Sequence, residues 1–124
     1  MITISPEKDK ALVEKLFCEN GISVSEFSSA VVAKFGSEVL GFCLYELDAK
    51  KIVIHKVSPE DDIMLADGIL RSALHVAAER SAMDARYSEF ADEKLFEKLS
   101  FIKNQAERTL DIDKLFGGCK CGGH

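Results

Sequence analysis

Ile52-Val53-Ile54-His55-Lys56-Val57-Ser58-Pro59 runs directly into Glu60-Asp61-Asp62-Ile63-Met64-Leu65-Ala66-Asp67-Gly68-Ile69-Leu70, and the change of character along this stretch decides the fold. Its first part is apolar on both alternating sets except at His55 and Lys56, the pattern of a central strand covered on both faces. Pro59 and three acids interrupt that pattern. Ile69, Leu70, Ala73, Leu74, Ala77 and Ala78 then recur at helical spacing, which predicts a helix from near Gly68 to Arg80 packed on the sheet. Asp67 is placed to cap its first free N–H groups.

Working outward, Ala30 to Val57 contains three runs rich in Val, Ile, Phe and Tyr, broken at Gly36-Ser37 and Asp48-Ala49-Lys50-Lys51. Such punctuation predicts an antiparallel meander. Upstream, Ser5-Pro6 followed by Glu7 and Asp9 reads as a helix start, with Leu12, Val13, Leu16 and Phe17 on one face and Asn20-Gly21 as the stop. Downstream, Ala85 to Phe90 reads as a strand. A helix connects it to the 52–57 strand, so the two should run parallel. Asp92 to Leu99 is a further amphipathic helix, Phe101 to Ile112 has room for one or two short strands, and Asp113 to Phe116 makes a helical turn.

The 124 residues, 47% hydrophobic and 30% charged, suffice for one compact core without disulfide staples. A net charge of −5 argues against nucleic-acid or acidic-membrane binding, which need a dense Lys/Arg field. Met1-Ile2-Thr3-Ile4 lacks the basic start and apolar core of a signal peptide, and no apolar run is long enough to span a bilayer, so the expected location is cytoplasmic. Cys18 and Cys43 lie in apolar periodic segments, which makes reduced thiols the expectation.

Together with Leu95-Phe96-Glu97-Lys98-Leu99-Ser100-Phe101, this order of elements resembles the GNAT N-acetyltransferase superfamily from residue 30 to residue 105, as a diverged member with a degenerate acyl-CoA loop. The resemblance implies an α+β GNAT-like domain over residues 1–116, a central mixed sheet of about six strands flanked by helices. It also implies that the 52–57 and 85–90 strands splay at their C-terminal ends, where a pantetheine arm pairs like an added strand. Val57 would then align the acyl carbonyl. The backbone of Asp62, Leu65, Ala66, Asp67, Gly68 and Ile69 would receive the CoA pyrophosphate at a helix N-terminus. Five positions depart from it: Asp62 replaces a Gln or Arg, Leu65 and Asp67 replace glycines, Phe96 replaces a frequent Tyr, and Ser100 replaces a Gly.

The function this resemblance implies is acyl-CoA-dependent N-acyl transfer, with acetyl-CoA or CoA as cofactor and a small-molecule or peptide amine as acceptor. The alternative is a noncatalytic binding or regulatory module that kept the fold. His55 is the imidazole on the central strand and the candidate base, its bland counterpart being a satisfied structural histidine. Tyr87 is the candidate proton donor in place of Phe96, set against an ordinary strand aromatic. Tyr45, Glu46 and Glu89 are weaker candidates. Arg71 could compensate ligand charge or pair with an acid on the surface, and His75 reads as a helix-surface residue.

Residues 117–124 form a Gly/Cys/His tail expected to be disordered. Cys119-x-Cys121-x-x-His124 offers two thiolates and an imidazole for Zn(II) or Cu(I). A fourth ligand would have to come from His55, Cys43, a neighbouring subunit or water. The competing reading is a redox-sensitive terminus.

Overall fold

The computed structural model describes residues 1–116. In chain order these form β1 (Ile2–Pro6), α1 (Lys10–Glu19), β2 (Ser28–Phe35), β3 (Glu38–Asp48), β4 (Lys51–Ser58), α2 (Ile63–Glu79), β5 (Asp84–Tyr87), α3 (Glu93–Leu99), β6 (Ile102–Asn104), β7 (Thr109–Leu110) and a 3-10 turn (Ile112–Phe116). The strands make one mixed sheet in the order β1-β2-β3-β4-β5-β7-β6. Its strands are antiparallel except at β4–β5, which pair in parallel. That parallel pair is the one α2 bridges, as the crossover rule requires.

The sheet separates two apolar clusters. On one face α1 places Val13, Leu16 and Phe17 over Ala30, Val32 and Leu44. On the other, α2 buries Ala66, Ile69, Leu70, Ala73, Leu74 and Ala77, one continuous helical stripe, against Val31, Cys43, Tyr45, Ile52, Ile54 and Val57. α3 joins the same side through Leu95, Phe96 and Leu99. Ile69, Leu70 and Leu74 are fully buried, and each contributes about 1.5–3 kcal/mol of apolar transfer.

Two expected helix starts move. Ser5 and Pro6 do not open a helix. They end β1, paired with Val32 and Val31, and Asp9 caps α1 by accepting from the Ala11 and Leu12 amides. Pro6 is tolerated because β1 is an edge strand. The second helix begins at Ile63 rather than near Gly68, with Asp62 as its cap accepting from Leu65 N at 3.1 Å. The meander falls where expected, with Gly36 turning β2 into β3 at φ +64. The fifth strand is shorter than expected, ending at Tyr87 rather than Phe90.

Gly41 on β3 fixes the connection that leads into α2. A Cβ there would lie 2.5 Å from the Ser58 carbonyl oxygen and 2.8 Å from both Ile69 Cδ1 and Pro59 Cδ. Only glycine lets the end of β4 close down on α2.

Candidate active site at the notch between β4 and β5

β4 and β5 share only part of their length. Their ladder ends at Ile54 opposite Tyr87, followed by one last bond from Ser88 N to the Ile54 carbonyl. β4 continues to Ser58 paired with β3, while the chain after Tyr87 leaves the sheet in a turn closed by Ala91 N on the Ser88 carbonyl. Residues 55–58 therefore have no strand partner on the β5 side among the described residues. This is the notch that the C-terminal splay of two parallel strands was expected to make.

A β-bulge lies beside that notch. Leu44 pairs with Lys56 and Tyr45 with Ile54, so His55 is the extra residue of β4. A bulge moves one side chain off the strict alternation. His55, next after Ile54, takes the α1 face by ordinary alternation, and the extra residue returns Val57, three positions after Ile54, to the α2 face with Ile52 and Ile54. On the α1 face His55 packs edge-on against Phe17, centroids 6.3 Å apart, and against Phe90, 5.9 Å apart.

His55 is 8% exposed. Its Nδ1 is 2.9 Å from Ser88 Oγ, which also accepts the Phe90 N–H. Nε2 is buried without a hydrogen-bond partner and lies 3.7 Å from Glu46 Oε2, too far for a hydrogen bond. Burial lowers the imidazole pKa below its ordinary value, and the Glu46 carboxylate pulls the other way. The ring is thus neutral at pH 7, the form in which one nitrogen can take up a proton.

Tyr87 lies on the opposite face. It is buried in the α2 cluster with its ring 5.2 Å from that of Phe96, and its hydroxyl donates to Glu93 Oε2. Burial, reinforced by the Glu93 carboxylate, pushes its pKa up to about 12. The two catalytic candidates therefore flank the notch from different sides and do not meet. Tyr45 is also buried on the α2 side, its pKa pushed up to about 12 by burial.

The residues assigned to the phosphate loop are spread along a helix. The turn between β4 and α2 comprises only residues 59–62 and carries a cis Ser58–Pro59 peptide. Leu65, Ala66, Asp67, Gly68 and Ile69 all lie within α2 rather than in a loop. Ala66 and Ile69 are fully buried, Gly68 packs toward Ile4, and Asp67 binds Arg71 at 2.8 Å. Arg71 also lies over the Phe101 ring, 5.1 Å from its centroid, so its charge is answered within the fold. Val57 is buried on β4, opposite Cys43.

A cleft of about 610 Å³ opens beside the N-terminus of α2, between Ile2 and Leu40 on one side and Pro59, Asp61, Asp62, Ile63, Met64 and Leu65 on the other. The notch, with strand backbone on one side only, suits the acyl arm of a CoA thioester. The diphosphate end fits in part, since helix-start amides are present but Asp62 already occupies the Leu65 amide and Glu60 and Asp61 adjoin it.

Cys119, Cys121 and His124 lie outside the described residues. Among the described residues no cluster of three or more His, Cys, Asp or Glu side chains is placed to hold a metal ion. Cys43 and His55, considered as further ligands, face opposite sides of the sheet, and burial pushes the Cys43 thiol far up from its ordinary pKa. No helix among the described residues is long and apolar enough to cross a membrane.

Sequence reasoning missed Ser88 and Phe90 as companions of His55, and Gly41 as the contact point for α2. One signal was present. Two consecutive polar residues, His55-Lys56, separate Ile54 from Val57, a three-residue step that breaks a period of two and marks a bulge.

A sheet whose β4 and β5 part above a crossover helix, with a bulge at the parting, defines a GNAT-like α+β fold. The crystal structure of the ribosomal-protein-S18-alanine N-acetyltransferase from Escherichia coli is similar to it, with a TM-score of 0.57 and 14% sequence identity over 88% of each chain. No protein-family model matches the sequence. No curated protein matches it either.

Proposed function

We propose that this protein transfers an acyl group from a thioester to an amine at the β4–β5 notch, with His55 as the general base. The observation that carries this reading is the neutral imidazole of His55 at the bulge, beside the unpaired edge of β4. The structural similarity to an N-acetyltransferase supports it at the level of fold. Acetyl-CoA, or a related acyl-CoA, would supply the activated acyl group.

The residues divide the work by face. On the α1 side, His55 takes a proton from the approaching ammonium, while Ser88 and Phe17 hold the ring. The exposed β4 edge, including Val57, orients an extended arm through its backbone groups. The N-terminus of α2 and the adjoining cleft receive the anionic end, with Asp62 weakening that contact. Tyr87 ties β5 to α3 through Glu93. A phenol pushed up to about 12 is a poor partner for a thiolate, so we assign it no proton transfer.

One observation favours a second reading, a noncatalytic module that kept the fold: Asp62 caps the very helix start that a phosphate would use. Thiol release from acetyl-CoA in the presence of glycinamide separates the two. Amine-dependent release that falls at least a hundredfold in His55→Gln supports transfer. Ligand binding with no amine-dependent release supports the module instead.

A further inference from the structure

Ser88 stands where the β4–β5 ladder stops. Its amide makes the last bond across the two strands, to the Ile54 carbonyl, and the residue is half-buried beside the notch. The hydroxyl has two partners. Its oxygen accepts the Phe90 N–H at 3.2 Å and lies 2.9 Å from His55 Nδ1.

These contacts settle where the protons lie. An amide N–H can only donate, so it takes up a lone pair of the Ser88 oxygen and leaves the hydroxyl proton to point at the imidazole. On the far side of the ring, Nε2 is buried without a hydrogen-bond partner, 3.7 Å from Glu46 Oε2. A carboxylate oxygen repels a lone pair and attracts an N–H, which places the ring proton on Nε2 even at a separation too long for a hydrogen bond. The Nδ1 lone pair then faces Ser88. Hydroxyl, imidazole and carboxylate thus form a series: a nucleophile, a base within reach of it, and a third group that fixes the tautomer of the base. Phe17 and Phe90 pack edge-on against the ring and hold its plane.

We propose that Ser88 is a nucleophile activated by His55, so that the acyl group of a thioester passes through an ester on Ser88 Oγ. The Ser88 oxygen attacks the acyl carbonyl carbon while His55 Nδ1 takes the hydroxyl proton. The carbon–sulfur bond breaks, and the departing thiolate takes that proton from Nδ1 and leaves as a thiol. Between the two transfers the imidazolium is opposed by the charge of Glu46. In the second step a water or an amine attacks the ester carbon and gives its proton to Nδ1, the bond to Ser88 Oγ breaks, and the serine recovers the proton. Water yields a carboxylic acid, so the protein has a thioester hydrolase activity that needs no amine. The thioester as donor rests on the acyl-transfer reading, but the reactivity of Ser88 toward an activated ester does not.

The test uses the full chain with p-nitrophenyl acetate, quenched in acid and mapped by mass spectrometry. A single acetyl group should appear on Ser88, and p-nitrophenolate release should fall by about a hundredfold or more in Ser88→Ala and in His55→Gln. Ser88→Cys, which keeps a nucleophile in place, should carry the acetyl group on sulfur. Diisopropyl fluorophosphate, whose serine adduct hydrolyses very slowly, should label Ser88 stoichiometrically and so reports the nucleophile even where the acetyl ester is short-lived. No label on Ser88 from either probe, acetylation confined to Cys18 or to lysines, or labelling undiminished in His55→Gln overturns the proposal. Acetyl-CoA then separates this step from the transfer reading. Labelling by the ester but not by acetyl-CoA leaves the Ser88–His55 pair standing and removes the CoA thioester. Amine-dependent release from acetyl-CoA with no Ser88 adduct from any probe does the reverse, and leaves direct attack by the amine.

Discussion

Asp62 offers the sharpest perturbation, because two consequences of one side chain have opposite signs. It caps α2 through a 3.1 Å bond to Leu65 N, and it places negative charge at the end of the helix where a diphosphate would dock. Asp62→Ala removes the cap and should cost about 1 kcal/mol of stability. For a domain of this size that corresponds to a drop in Tm of about 3–6 °C. Asp62→Asn keeps an N-cap side chain, so its loss should stay within about 0.5 kcal/mol. On the ligand side, two unit charges roughly 5 Å apart in a largely aqueous setting repel by about 1 kcal/mol. Removing that repulsion should tighten CoA about fivefold in Asp62→Asn. Denaturant melts and calorimetric titration with CoA measure the two effects on the same samples. If Asp62→Asn binds CoA more weakly than the wild type, the carboxylate has a positive role in recognition. If Asp62→Ala melts with the wild type, α2 does not depend on this cap.

Gly41→Ala should destabilise by about 1–3 kcal/mol, read from a denaturant midpoint, because the new methyl meets the Ser58 carbonyl oxygen and the Pro59 ring, which cannot swing aside as the Ile69 chain end can; an unchanged midpoint would mean the β4 end is not held against α2. Ser100 sits at φ +62 at the end of α3, the left-handed conformation that glycine adopts without strain, so Ser100→Gly should raise stability by about 0.5–1 kcal/mol, and a loss would show that its side chain matters more than its backbone. The His55 pKa is lowered on folding, so between that value and 6.5 the unfolded chain binds more protons. The associated stability is fully present above about pH 6.5 and is lost as pH falls toward the folded value; His55→Gln should flatten this part of a stability–pH profile, and an unaltered profile would assign it elsewhere. Tyr87→Phe should lower Tm by loosening β5 from α3 while leaving turnover within about twofold, whereas a large loss of turnover at full stability would restore Tyr87 as a proton donor.

The meander was legible because β-branched runs and turn residues agree along it: the breaks at Gly36-Ser37 and Asp48 to Lys51 separate β2, β3 and β4 where the sequence places them. The parallel β4–β5 pair followed from the helix between them. What failed were the helix starts, and each failed for a physical reason. Ser5-Pro6-Glu7 satisfies local helix chemistry, yet pairing with Val31 and Val32 draws it into the sheet edge. Asp62 and Asp67 are both competent caps, and the choice is settled by Ala66 and Ile69 packing on the sheet. Gly68 looked like a loop glycine but is a helix residue beside Ile4.

The site was legible in part for the same kind of reason. His55 is conspicuous in a strand that is otherwise apolar but for Lys56, so a single titratable group stood out. Its partners come from distant elements: Glu46 from β3, Ser88 from the end of β5 and Phe17 from α1. Register and bulge bring them together, and neither is written in local spacing. Tyr87 illustrates the converse, since the same register that makes it a neighbour of Ile54 turns its ring away from His55.

On the reading proposed above, the notch between β4 and β5 holds an acyl thioester beside His55. A titration of the isotopically labelled full chain with acetyl-CoA, followed through its backbone amides, tests this most directly. Saturable shifts should be confined to residues 55–58, Ser88 to Ala91 and the first turn of α2. Saturable shifts elsewhere on the sheet, or none at millimolar acetyl-CoA, would contradict it.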